Sequence, residues 1–305
     1  MYEELQEQVR GQAGVVTRAQ ARAHGVPLTQ LGKPGSDRLL TRVRPNAYAL
    51  TSRYDEGDPV ARLVIQVAAE RLVCGVDLVA VRATAAQLHE VPLIGPPPPR
   101  LQLGERKHDR PKHHGNSRAL PPEAVVEVRA VPATSLSRTA VDLARARGHL
   151  AGVAAADAAL RRGASPEELL EALEACARWP GIDRARRAVG FADGRAESAL
   201  ESLGRVRFDE QGLPPCDLQV VLGDTDGPIA RVDHYWEAHR TIAEADGALK
   251  YVTAADLFAE KRREDRLREA GFEVVRYTWD EALRHPELVA VRIRQAFVRY
   301  ARRAA

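Results

Sequence analysis

No stretch of this chain holds eighteen consecutive apolar residues, so no segment reads as a membrane-spanning helix. The opening segment MYEELQEQVR is acidic and polar and lacks the apolar core of a secretory leader, so the sequence predicts a cytoplasmic protein with no membrane partner. Cysteine is scarce: Cys74, Cys176 and Cys216 stand far apart without a CxxC pair, which excludes a zinc knuckle and argues against a disulfide framework. They read as small buried apolar residues. Lysine is also rare, with five against forty arginines, so a lysine inside an acidic cluster stands out. The net charge of +3 over 305 residues is too small to signal nucleic-acid binding. Residues 191–305 are even net negative, with 18 Lys/Arg against 21 Asp/Glu.

What is present, 45% hydrophobic and 29% charged residues, suffices for two or three domains with real cores. The pattern predicts a mixed α/β protein in three parts. Residues 1–52 read as two short helices and a hairpin, a winged helix. Thr17 with Gln20 is a capping box, Gly25 stops the first helix, a second short helix follows from about Pro27, and Arg44-Pro45-Asn46 turns between two apolar runs. Residues 53–190 read as a mainly helical, alanine-rich domain. It is interrupted by the GPPPPR segment and by ERKHDRPKHHGNSR, both loops, with strands expected at PRLQLGE and AVVEVRA. Thr134 or Ser135 and then Ser165-Pro166 start its helices. His108, His113 and His114 lie in the second loop without partner acids and read as loop residues.

Residues 191–305 change character. A helix over RAESALESLGRVRFDE precedes strands at 218–222, 228–236 and 240–246; a charged helix over 254–270, a strand over 272–279 and a terminal helix over 286–303 follow. Side chains alternate along a strand, so Glu244 and Asp246 share a face. A link of about four residues, 237–240, sets Trp236 opposite Thr241 and Asp233 opposite Glu244, with the two carboxylates roughly 5 Å apart. Like charges so placed repel unless a cation joins them, and a hard divalent ion meets that need. Lys250, just past Gly247, is positioned to orient a water or offset charge on phosphorus. Glu197 and Glu201, four apart on one helical face, offer a further carboxylate, and Glu201, between Leu200 and Leu203, is the better placed.

These residues, RVDHYW, then IAEADGALKY, with Glu201 upstream and AEKRREDRLREAGFEVVRYTW downstream, resemble the PD-(D/E)xK nuclease superfamily. More narrowly they are similar to very-short-patch-repair-like endonuclease domains of unknown function, over about residues 195–300. The resemblance implies a metal-dependent endonuclease. Asp233, Glu244 and Asp246 would be the Mg²⁺ or Mn²⁺ acids, Lys250 the charge-stabilising group and Glu201 an accessory catalytic carboxylate. Asp246 stands where the superfamily places lysine, and lysine returns four residues later. At the front, GVVTRAQARAHGV with RVRPNAYAL resembles the winged-helix domain of the AbiEi antitoxin-like family, as VPATSLSRTAVDLARA resembles that family's second domain. This implies duplex DNA as a partner, with a toxin–antitoxin or defence-system protein as another. Gly32, Pro34 and Gly35 predict a shortened recognition helix.

Arg42 and Arg44 in the wing and Lys261 and Arg262 in EKRREDRLRE are the residues expected to meet DNA phosphates, although the mixed charge of that run also suits a solvated helix face. Trp236 and Trp279 end apolar strands and predict core. The alternative function is a DNA-binding transcriptional regulator or antitoxin-like protein whose nuclease-like domain is inert.

Overall fold

The structure is a computed structural model that describes residues 2–32, 37–75, 77–105, 120–224, 227–247 and 254–304. The chain is mixed α/β. It begins with α1 (Tyr2–Gly11), β1 (Val15–Thr17), α2 (Arg18–Ala23), a 3₁₀ turn (Leu28–Gln30), β2 (Leu31–Gly32), β3 (Leu40–Arg44) and β4 (Ala47–Leu50). Next come α3 (Thr51–Asp55), α4 (Pro59–Cys74), β5 (Leu78–Ala80), α5 (Arg82–Leu88), β6 (Leu103–Glu105), β7 (Val125–Val128) and β8 (Val131–Thr134). Then follow α6 (Leu136–Arg147), α7 (His149–Arg161), α8 (Pro166–Ala175), α9 (Ile182–Gly190) and α10 (Ala199–Glu210). The chain closes with β9 (Asp217–Asp224), β10 (Gly227–Trp236), β11 (Thr241–Asp246), α11 (Ala254–Glu269), β12 (Glu273–Thr278), α12 (Trp279–Arg284) and α13 (Pro286–Ala304).

These elements form two compact units, the first from residues 1–146 and 165–185, the second from 147–164 and 186–305. Residues 147–164, placed by the sequence in a middle domain, thus pack in the second unit.

In the first unit, β1-β4-β3-β2 form one sheet and β6-β5-β8-β7 another. Strand β4 is buried on both sides, and its alternation explains why: Tyr48 and Leu50 join a core with Leu5 and Val9 of α1, while Ala47 and Ala49 join one with Leu63 and Val67 of α4. The capping box of Thr17 and Gln20 forms as expected. The second short helix does not extend beyond the 3₁₀ turn, and Lys33–Ser36 lie outside the described residues.

Residues 53–190 are mainly helical as expected, and β6 and β7 fall in the two segments read as strands, but β5 and β8, which complete the second sheet, were not foreseen. Strand β5 is only three residues long and fully buried, so it shows no polar alternation and reads as part of an alanine-rich helical run. The histidine loop lies outside the described residues.

In the second unit the sheet order is β12-β11-β10-β9, with β11 and β12 parallel and the other pairs antiparallel. Leu200 and Leu203 of α10 and Ile293 of α13 pack with Trp236, Ala243 and Tyr277 on one side. Leu267 of α11 packs with Val232, Tyr235 and Ile242 in a separate core. Trp236 is core as expected. Trp279 is not: it opens α12, capped by Thr278, and is 38% exposed.

Candidate active site

The link between β10 and β11 is a 3₁₀ turn (Glu237–His239) closed by Arg240 at φ +38°. It sets the ladder Trp236↔Thr241, Tyr235↔Ile242, His234↔Ala243, the register expected from the sequence. Asp233 and Glu244 come next on the two strands. There the backbone ladder gives way to a side chain, because Asp233 Oδ2 accepts from the Ala245 N–H at 2.8 Å. Asp246, half-buried at the end of β11, sits beside Thr278 in the parallel ladder with β12.

Ser198 caps α10 and accepts from the Glu201 N–H at 3.2 Å. Glu201 is 5% exposed and folds back to accept from the Glu197 N–H at 2.7 Å and the Ser198 hydroxyl at 2.7 Å. Glu197 precedes the helix and pairs with Arg231 at the surface, so the two glutamates do not share a helical face. Burial raises the Glu201 pKa, and the charge of Asp233 raises it further.

Gln219 on β9 joins the acids, donating from Nε2 to Glu201 at 2.9 Å and to Asp233 at 3.4 Å. Its φ of +56° is a left-handed conformation that non-glycine residues rarely hold and that collects at functional sites. Glu244, 6% exposed, pairs with Arg263 of α11 at 3.4 Å.

A neutral hydrogen-bonded chain lies behind this cluster. Cys216 Sγ is 3.7 Å from His234 Nδ1, and His234 Nε2 is 2.8 Å from Tyr277 Oη. Tyr277 Oη in turn donates to the Leu200 carbonyl at 3.3 Å. One assignment satisfies all three contacts: the thiol donates to Nδ1, and Nε2–H donates to the phenol oxygen. Burial supports it, pushing the Cys216 thiol up to about 12 and His234 down to about 3. The Tyr277 hydroxyl is held well above its ordinary value by burial, and the charges of Asp233, Glu201 and Glu244 act on it in the same direction. The charges of these three acids, from α10, β10 and β11, thus all bear on one phenol. Gly204 makes the contact with α10 sterically feasible, since a Cβ there would stand 2.2 Å from Tyr277 Oη.

The donor set is hard oxygen, the chemistry of a divalent cation. As the side chains stand, they do not fit one. Among the described residues no group of three His, Cys, Asp or Glu side chains has a metal-holding arrangement. The oxygens are engaged by Gln219, Ser198 and backbone N–H groups, and a guanidinium stands at Glu244. Lys250 lies outside the described residues.

Sequence reasoning missed Gln219 and Arg263. Counting back from the β9–β10 turn sets Gln219 opposite Val232, and only the register shift between Pro228 and Ala230 brings it beside Asp233; no comparable signal separates Arg263 from its charged neighbours. Lys261 and Arg262 are exposed on the same helix. In the first unit Arg42 is exposed on β3, whereas Arg44 ion-pairs with Glu70 of α4 and donates to Cys74, so it faces the protein rather than solvent.

Compared with known proteins, the chain is 36% identical over 162 residues to two relatives, from two strains of Mycobacterium tuberculosis, both named uncharacterized proteins. The match covers 53% of this chain and 60% of each relative, so less than two thirds of the relatives' length is spanned. No family model matches the chain, and no solved structure matches it.

Proposed function

We propose that residues 191–305 form a nuclease domain that hydrolyses phosphodiester bonds in DNA, brought to duplex DNA by a winged helix in residues 1–52. One observation carries the reading: Gln219 bridges Glu201 and Asp233, carboxylates of two separate elements, and Glu201 is buried with its pKa raised partly by the charge of Asp233. Buried acids gathered from separate elements are costly to a fold and collect at functional sites. The element order α10-β9-β10-β11-α11-β12 supports the same reading, as do Lys261 and Arg262 exposed on the helix whose Arg263 reaches Glu244.

Mg²⁺ or Mn²⁺ is the cation class this reading calls for, with Asp233, Glu244 and Asp246 as the nearest acids. Arg263 occupies that role at Glu244 in the present arrangement. This favours a second reading, a DNA-binding regulator or antitoxin-like protein in which Arg263 permanently neutralises an inert site.

Plasmid cleavage by the full chain with Mg²⁺ or Mn²⁺, beside Asp233→Ala and Glu244→Ala, separates the readings. Cleavage abolished by either substitution supports the nuclease, and cleavage that survives both removes the assignment. No cleavage and no heat of Mn²⁺ binding, together with salt-sensitive duplex binding, supports the regulator.

A further inference from the structure

The first unit holds a cavity of about 520 Å³ whose lining combines one apolar surface with three cations. Its floor is Ala61, Val64 and Ile65, which share a face of α4. Arg10 at the end of α1, Arg53 of α3 and Arg129 of the β7–β8 turn also line it. Among the described residues, none that lines it carries a carboxylate or any other side-chain hydrogen-bond acceptor. Arg129 pairs with Glu90 at the surface, and Arg10 Nε donates to the Gln6 carbonyl at 3.4 Å. Exposed contacts of this kind contribute little and exchange readily for a bound anion.

The backbone around the cavity is strained where it delivers these groups. Arg129 and Ala130 form the two-residue turn between Val128 and Val131 with φ of +49° and +67°, a conformation usually left to Asn-Gly. Ala13 at +54° and Gly14 at +97° also line it, Gly14 lying against Ile65. Left-handed non-glycine residues concentrate at ligand clamps.

We propose that this cavity binds a small amphiphilic anion, an organic acid with a hydrocarbon body. The floor takes the body and the guanidiniums take the charged group, in a volume typical of small-molecule sites. A nucleobase suits it poorly, because its N–H edges would find no side-chain acceptor. A DNA backbone brings phosphates but no apolar body for the floor. Because the lining comes from the β1 side of one sheet and the β7–β8 turn of the other, the bound acid joins the two sheets and stabilises the unit by mass action.

The test titrates the full chain with anilinonaphthalene sulfonate, followed by fluorescence, with decanoate, inorganic phosphate and an uncharged naphthyl alcohol as competitors. One site per chain is expected, displaced by decanoate and not by phosphate or the alcohol. The probe should bind roughly tenfold or more weakly to the double variant Arg53→Gln/Arg129→Gln and normally to Arg178→Gln, an exposed arginine elsewhere in the same unit. Decanoate should raise the melting temperature of the unaltered protein, a measurement that needs no variant. The proposal is overturned if the double variant binds the probe like the unaltered chain, if phosphate displaces it as well as decanoate does, or if decanoate leaves the melting temperature unchanged.

Discussion

Glu201 sets stability against the proposed chemistry. Its folded pKa is raised above the ordinary 4.5, so the unfolded chain releases the proton more easily. The resulting destabilisation appears as pH rises through 4.5 and is complete above the folded value. Glu201→Gln keeps the geometry, since its oxygen still accepts from the Glu197 N–H and Gln219 while its amide donates to Ser198. We expect this variant to melt higher than the unaltered protein at about pH 8, to lose that advantage at about pH 4, and to lose any nuclease activity. His234 acts in the opposite sense. It stays neutral in the fold down to about 3, while the unfolded chain takes up a proton as pH falls through 6.5. Stability contributed above 6.5 is lost across that window at up to about 1.4 kcal/mol per pH unit. Proton NMR should show the His234 ring without titration between about pH 8 and 5; a midpoint near 6.5 would contradict the buried chain. Glu201, Asp233 and Glu244 were legible in the sequence because acids within apolar segments are conspicuous. Gln219 and His234 were not, since their roles depend on partners 14 to 43 residues away.

At the scale of elements, α10 meets β12 through a glycine. Gly204→Ala places a methyl 2.2 Å from Tyr277 Oη and 2.6 Å from its Cζ, so the helix must lift or the phenol must leave His234 and Leu200. A loss of about 1–3 kcal/mol is expected from overpacking, read as a lower urea midpoint. The pairing of α11 with β11 gives a sharper test. Arg263→Gln removes the guanidinium that stands 3.4 Å from Glu244. If the acids take a metal, Mn²⁺ should bind this variant more tightly than the unaltered protein in calorimetry; equal affinity would speak for the inert reading. The β10–β11 register was readable because a four-residue link leaves little freedom and a one-residue slip would turn every side chain over. The sheet around β5 was not, because a short strand buried on all sides carries no periodic signal.

For the whole molecule, the chain passes between its two units at 146/147, 164/165 and 185/186. The first unit is therefore incomplete without its later segment. Arg138 and Arg145 share Asp142 and lie 4.6 and 4.7 Å from the ring centroid of Trp179, all buried or half-buried. A fragment ending at Ala146 lacks that indole and α8, and it should melt well below one extending through Gly190, measured by circular dichroism. Such desolvated cation–π contacts are worth about 2 kcal/mol each.

The sequence by itself determined what neighbours in the chain decide: the capping boxes at Thr17 and Ser165, the short β10–β11 link, the strand alternation that aligns Glu244 with Asp246, and the mixed α/β class. Tertiary structure alone decided which charge stands against which. It set Arg263 at Glu244 and Glu70 at Arg44, gathered three arginines around an apolar hollow, and returned residues 165–185 to the first unit. The physical reason is range. Capping and alternation act over a few residues, whereas burial and Coulomb attraction act through space and depend on which elements the whole fold brings together.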